Sequence, residues 1–354
     1  MQVRISSVEV IPYALPFREP YVTARGRLEQ RQMVLLRLVS QDGLTGLGEA
    51  VPLSMRGGVT LERVVGELEL LGELSELNEA SLRGGIGNLS PPARCAALTA
   101  LMDLRGRRAA VEGHSSAGPA QPVPCNATLV AGEPAAVAED ALLWGAAGFT
   151  TFKLKLGTGA DVAQARAVRE ALGPEARIRV DANAAWDVTE AKRTLAALEE
   201  LDVELAEQPV ATLEEAAEVA AATSIPLAGD ESVESRADAE LAVSMGACSL
   251  AGIKLSKVGG PEEAIEIAEV LPSYLSSALD GPVGIAAAAQ VAQTLRESAP
   301  AGGLDLAHGL ATQRLFAATV ASVECELRDG MLHPPAGPGL GVEIDERALD
   351  LHRL

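Results

Sequence analysis

The chain has 354 residues, 48% of them hydrophobic, enough to bury one large α/β domain and a smaller second one. Its 49 acidic against 29 basic residues give a formal charge of −20, which argues against binding nucleic acid or anionic membranes. No window approaches the roughly 20 apolar residues of a membrane span, and the first residues lack a signal peptide's apolar core, so a cytoplasmic protein is expected.

Residues 2–11 alternate apolar with polar side chains and 33–39 form a short apolar run; both read as strands. The segment QDGLTGLGEA (41–50) carries Gly43, Gly46 and Gly48 between two strand-like runs. It opens no helix at the spacing a phosphate-binding loop needs, so a hairpin turn is expected. Helical patterns cover 60–83 and 91–105, interrupted by Gly84, Gly85, Gly87 and the Pro91-Pro92 pair. A connector rich in Gly and Pro follows at 111–124. Strand-like runs then appear at 123–129, 149–156, 177–182, 203–206, 225–229, 249–255, 274–279 and 304–308, with helical segments between them. Asp187-Val-Thr-Glu190 fits a capping box, and Pro261 opens a helix with Glu262 and Glu263 at its positive end. This alternation predicts an α/β fold with a parallel (β/α)8 barrel. The tail beyond 325, with its short GVEID strand, is expected to return to the N-terminal part. Cys95, Cys125, Cys248 and Cys325 are far apart with no Cys-x-x-Cys pair, so reduced, buried thiols are expected.

Charges stand at the ends of these apolar runs. The segments TTFKLKLG (150–157), RIRVDAN (177–183), VELAEQP (203–209), PLAGDES (226–232) and AGIKLSK (251–257) carry Lys155, Asp181, Glu207, Asp230 and Lys254. Their intervals of 26, 26, 23 and 24 residues each suit one strand-plus-helix unit. Active-site groups of such a barrel stand at the carboxyl ends of its strands, so the three carboxylates are expected to meet. Any one of them alone reads as easily as a polar residue paired with a lysine or arginine. Three hard oxygen ligands without His or Cys nearby favour Mg²⁺, or Mn²⁺, over zinc. Alternation puts Lys153 and Lys155 on one strand face, opposite Phe152, Leu154 and Leu156. Two neighbouring ammonium groups are expected to depress a pKa, as a lysine base near neutral pH requires. Lys254 would face them across the barrel mouth. Such a set suits proton abstraction beside a substrate carboxylate.

The order Lys-x-Lys, Asp-Ala-Asn, Glu-Gln-Pro, Gly-Asp-Glu-Ser and Lys-x-Ser-Lys-x-Gly-Gly resembles the enolase superfamily, in its muconate-lactonizing-enzyme-like subgroup, over nearly the whole chain. The resemblance implies an α+β capping domain at 1–95, the barrel and active site at 96–324, and a segment at 325–354 that returns to the cap. It implies Mg²⁺ on Asp181, Glu207 and Asp230, Lys155 as the acid/base on one face, and Lys254 as the lysine on the other. The mandelate-racemase-like branch uses a His on strand seven, and YLSSALDGPVG (274–284) has none. Dipeptide epimerases share an Asp-x-Asp on strand eight, where this chain has Gly303-Leu304-Asp305. LSSALDGPVG and LAHGLAT (306–312) are similar instead to o-succinylbenzoate synthases, although Gly281-Pro282 replaces the more usual serines. The implied reaction is Mg-dependent dehydration of 2-succinyl-6-hydroxy-2,4-cyclohexadiene-1-carboxylate in menaquinone biosynthesis. The alternative is an N-acylamino-acid racemase or dipeptide epimerase using the same lysine pair. Lys153, Arg179, Asn183, Ser277 and Gly309 are expected near the substrate, a small carboxylate. Arg25, Arg27, Met55 and Arg56 fall in segments that correspond to cap loops, where solvated side chains are the default reading. His114, His308, His333 and His352 are scattered and read as structural. A Schiff-base aldolase would use Lys254 but would leave three carboxylates without a task.

Overall fold

Prolines at 12, 16 and 20 are incompatible with an interior strand, yet one long strand, β1 (Ile5–Thr23), runs through them because it lies at a sheet edge. The computed structural model describes residues 4–23, 26–52, 58–73, 78–113, 121–298 and 306–354. β1 pairs antiparallel with β2 (Gly26–Ser40), which pairs with β3 (Thr45–Ala50). The strand expected at 33–39 lies within β2, and that expected at 2–11 enters β1 from Ile5 on, residues 2 and 3 lying outside the described residues. Helices α1 (Leu61–Glu69), α2 (Glu79–Ile86) and α3 (Pro91–Val111) follow. The helix expected at 60–83 is divided, because residues 70–73 tighten into a 3-10 turn. Gly84 and Gly85 continue α2, and Pro91-Pro92 opens α3, where a missing N–H costs nothing. Val34, Leu36 and Leu38 on one face of the sheet pack against Val64, Leu68, Leu101 and Leu104 of the helices. Tyr13, Leu15, Met33 and Leu35 on the other face join the main core. Only residues 41–44 make the expected turn; Gly46 and Gly48 lie inside β3. A β-carbon at either would overlap the main chain of α3, so these glycines let the helix lie directly on the sheet.

The second domain begins with β4 (Val123–Pro124) and β5 (Ala127–Leu129). Next come α4 (Pro134–Ala146), β6 (Thr151–Lys155), α5 (Asp161–Leu172), β7 (Arg177–Asp181) and α6 (Val188–Glu199). After β8 (Val203–Glu207), α7 (Leu213–Ala220), β9 (Leu227–Gly229) and α8 (Arg236–Met245) stands β10 (Leu250–Ile253). The short α9 (Leu255–Val258), α10 (Pro261–Ala268), β11 (Ser273–Leu275) and α11 (Pro282–Ser298) complete the alternation. β5 to β11 form a seven-stranded parallel sheet in sequence order. Two residues close it into a barrel: His308 bridges Cys125 and Gly309 bridges Ser276, both in parallel. The main-chain N–H groups of Asn126 and Ser277 donate across these seams to His308 O and Gly309 O, each at 2.9 Å. The eighth strand expected at 304–308 is therefore seen at 308–309, with 304 and 305 outside the described residues.

The boundary expected between 95 and 96 falls within α3, which lies on the cap sheet and also anchors α9 through Arg94 Nη2 on Val258 O at 2.9 Å. The tail divides its contacts. β12 (Ala321–Val323) pairs with β15 (Glu343–Ile344), and β13 (Glu326–Arg328) with β14 (Met331–His333), which continues onto β4. The GVEID strand thus joins β12 and not the cap. The last helix, α12 (Glu346–His352), does return there: Glu346 meets Arg37 at 2.6 Å, and Leu354 N–H reaches Pro12 O on the outer edge of β1. Among the described residues no helix is long and apolar enough to cross a membrane.

Candidate active site

Register brings the charges together. Lys155 pairs with Asp181 across β6 and β7, and Asp181 with Glu207 across β7 and β8, so three charged residues share one layer at the strands' carboxyl ends. Asp230 follows β9 directly, and Lys254 follows β10. Asp181 and Asp230 are 0% exposed, Glu207 1%, Lys153 4% and Lys254 6%. Such burial of charge is tolerable only with close partners. Lys153 Nζ lies 2.6 Å from Glu207 Oε2 and 2.9 Å from Asp181 Oδ2. Lys155 Nζ lies 2.6 Å from the same Asp181 oxygen and 3.0 Å from Asn183 Oδ1. On the other side Lys254 Nζ meets Asp230 Oδ2, and Lys257 Nζ stands 2.9 Å from Asp230 Oδ1. Lys153 thus stands between Asp181 and Glu207, and Lys155 on Asp181, while Lys254 and Asp230 form a second pair.

Each carboxylate is turned onto an ammonium, and among the described residues no three Asp, Glu, His or Cys side chains form a metal-holding group. Glu207 Oε1 is buried and makes no hydrogen bond among the described residues, a condition that costs about 1–3 kcal/mol. A hard cation would satisfy that oxygen, and the all-carboxylate donor set fits Mg²⁺ or Mn²⁺. Burial alone would raise the Asp181 pKa, but Lys153, Lys155 and Lys254 hold it well below the carboxylate range. The lysines depart from expectation. Burial and the Lys153 ammonium do pull Lys155 down, yet the Asp181 carboxylate outweighs them and its pKa lies above the ordinary value. Lys153 is raised likewise by Asp181 and Glu207 against its own burial.

The residues expected around the substrate divide. Asn183 is at the rim, in a left-handed conformation (φ 47°), with its N–H on Asp181 Oδ1 at 2.9 Å. Arg179 is a correction: it is 0% exposed, below the mouth, with Nη1 on Ala307 O at 2.6 Å, Nε on Glu204 and its guanidinium over the Tyr274 ring. A register shift at the start of β8 leaves Glu204 unmatched and so able to meet it. Ser277 and Gly309 are engaged within the fold. The Ser277 hydroxyl donates to Asp280 Oδ2 at 2.8 Å and accepts from Asp280 N–H at 2.9 Å. Both main-chain groups of Gly309 are taken up by Leu275 and Ser277. The serine one residue earlier fits better: strand alternation puts Ser276 on the inward face with Tyr274, beside Gly309.

Three further supports escaped the reading of the sequence. Tyr274 O–H donates to Glu207 Oε2. Gln208 Oε1 accepts from Asp230 N–H at 2.8 Å and from Ser232 N–H at 3.1 Å. Lys257 holds Asp230 and Val233 O. Gln208 follows Glu207 and Lys257 lies three residues after Lys254 in the same motifs, which was the available signal; Tyr274 has none beyond its place two residues before Ser276. His308 is buried in the closing seam, with Nδ1 accepting Leu275 N–H at 2.9 Å. Arg27 is exposed and paired with Glu29. Arg25, Met55, Arg56 and His114 lie outside the described residues.

A family model described as enolase C-terminal domain-like matches residues 136–348. One described as the mandelate racemase/muconate lactonizing enzyme N-terminal domain matches residues 5–112. The chain is 31% identical over 327 residues to a hydrophobic dipeptide epimerase of Enterococcus faecalis, spanning 87% of this chain and 92% of that one. It is 38% identical over 236 residues to an o-succinylbenzoate synthase of Thermobifida fusca, spanning 64% and 69%. The solved dipeptide epimerase from Enterococcus faecalis V583, complexed with Mg and L-Leu-L-Tyr, superposes with a TM-score of 0.86 at 26% identity over 97% of this chain and 100% of that one. Muconate lactonizing enzyme from Pseudomonas fluorescens, complexed with muconolactone, gives 0.89 at 27% identity over 99% and 100%.

Proposed function

Since the chain belongs to the enolase superfamily, in its muconate-lactonizing-enzyme-like group, we propose that it is a lyase of the o-succinylbenzoate synthase type. It would dehydrate 2-succinyl-6-hydroxy-2,4-cyclohexadiene-1-carboxylate to an aromatic product in menaquinone biosynthesis. The observation that supports this choice is Ser276, which the seam between β11 and the closing strand brings beside Gly309; in the sequence alone, Gly303-Leu304-Asp305 lacks the first Asp of the epimerases' pair. Similarity to a T. fusca synthase supports it. A second reading, racemisation or epimerisation of an N-acylamino acid or dipeptide, is supported by the longer match to the E. faecalis epimerase and would use the same lysines.

Asp181, Glu207 and Asp230 would hold Mg²⁺, which supplies positive charge for a substrate carboxylate as negative charge builds beside it. A cation on Asp181 would offset the carboxylate charge that now favours the Lys155 ammonium, as a lysine acting as a base requires. Lys155 then removes the proton next to the substrate carboxylate. As an ammonium it returns that proton to the departing hydroxyl on the same face, which gives syn loss of water. Lys254, beyond Asp230, places its cation against the other face of the ring, and Asn183 steadies Lys155 at 3.0 Å. The test follows loss of diene absorbance with Mg²⁺. Lys155→Ala should abolish it in a protein that still folds cooperatively, and EDTA should stop it; turnover retained by Lys155→Ala would overturn the assignment.

A further inference from the structure

Three neighbouring strands of the cap each send one buried polar side chain onto the loop that follows β11. Arg31 of β2 is 7% exposed, and its Nη2 donates to Ala278 O at 3.0 Å and to Pro52 O at 2.9 Å. Glu49 of β3 is 2% exposed; its Oε1 accepts the Gly281 N–H at 2.6 Å, immediately before α11, and burial and the nearby Asp280 push its carboxyl up to about 8. Tyr13 of β1 is wholly buried and donates to the other Glu49 oxygen at 2.8 Å. The contact is close-fitted: a β-carbon on Gly281 would lie 2.7 Å from Glu49 Oε2, and one on Gly284 2.8 Å from Glu49 Oε1.

The gripped loop is strained. Leu279 has φ 67°, a conformation a bulky residue holds only when its surroundings impose it. Within the loop, Asp280 Oδ2 accepts the Ser277 hydroxyl at 2.8 Å and the Ala278 N–H at 2.7 Å. The loop starts at Ser276, whose inward position lies at the mouth of the candidate active site. None of these three cap residues touches Lys155, Lys254 or a carboxylate of that site in any hydrogen bond described above.

We propose that Glu49, Tyr13 and Arg31 are positioning residues: they transmit the seating of the cap sheet to the strained loop 277–281 and thereby set where Ser276 meets the substrate. They act on substrate fit and not on proton transfer. The same Arg31 guanidinium ties Pro52, just before a cap segment, to the barrel loop, so cap and mouth move as one.

The test uses the full chain carrying Tyr13→Phe and, separately, Glu49→Gln. Amide hydrogen exchange at Ala278, Asp280 and Gly281 should quicken about tenfold or more, since local opening sets it. In the diene assay KM should rise about tenfold with kcat within about twofold, the pattern of a lost ground-state fit. That kinetic arm alone rests on the dehydration reading. Quickened exchange in a protein that turns over no cyclohexadiene substrate would sustain the clamp and sink the reaction. Unchanged exchange at these amides, or a fall in kcat at constant KM, would overturn the clamp. Should Glu49→Gln fail to fold, Tyr13→Phe, which removes one hydroxyl, decides.

Discussion

Replacing Lys153 by methionine keeps the stem and removes one buried cation. Its ammonium stands 2.6 Å from Glu207 and 2.9 Å from Asp181, with 4% of the residue exposed. At an effective dielectric near 20 each attraction is about 6 kcal/mol before desolvation, and most of that is offset by the cost of burying the charges. Measured losses on removing one partner of such a pair are about 3–5 kcal/mol, because the remaining charge is left uncompensated. Lys153→Met should therefore unfold in urea with about 3–5 kcal/mol less stability than the parent chain in EDTA. Excess Mg²⁺ should close at least half of that gap, because the two carboxylates it would bind are those the lysine deserted; binding at about 100 Kd adds roughly 2.7 kcal/mol. A gap below about 1 kcal/mol in EDTA, or one that Mg²⁺ leaves unchanged, would refute the reasoning.

Gly48→Ala should loosen the cap by about 1–3 kcal/mol or more in urea unfolding, since its β-carbon would overlap Ala96 O of α3; a neutral result would mean that α3 does not lie on β3 as described. Gln208→Ala should lower divalent-cation affinity about 10–100-fold by calorimetry, since the Asp230 N–H loses its acceptor. The pH dependence of stability has a definite sign at His308. Burial, then the Arg179 and Arg296 cations, lower its pKa from 6.5 to about 3. Below 6.5 the unfolded chain takes up a proton that the folded chain refuses, so stability is lost as pH falls through this window. Between pH 6.5 and about 5.5 the parent should lose about 1 kcal/mol more than His308→Asn, which keeps an acceptor for Leu275 N–H. Parallel losses in both proteins would contradict this.

The charged layer was legible because a charge at the end of an apolar run is conspicuous and recurs once per strand–helix unit. Asp181, Glu207 and Asp230 needed no tertiary information beyond the rule that strand ends converge. Details that depend on cross-chain contact were not legible. The prolines of β1 obscured a strand that only its edge position permits, and Gly46 and Gly48 resembled a turn because the helix they make room for lies about 50 residues away. Ser276 and Ser277 differ only in which face each presents, and a one-residue choice of face cannot be read from two adjacent serines. The raised lysine pKa values were missed for a related reason: adjacent Lys153 and Lys155 are visible in the sequence, whereas the carboxylates that outweigh their repulsion come from β7 and β8. Glu49 did interrupt an apolar run, GLGEAVP, and that was the signal for the clamp.

The most direct test of the account is proton NMR of the protein with Mg²⁺ in D₂O, given the cyclohexadiene carboxylate alongside a panel of N-acylamino acids and dipeptides. Dehydration by Lys155 predicts conversion of the cyclohexadiene to the aromatic product, with its panel companions remaining unlabelled on the same timescale. Deuterium entering a dipeptide or acylamino acid while the cyclohexadiene persists would contradict it and move the same lysines to racemisation.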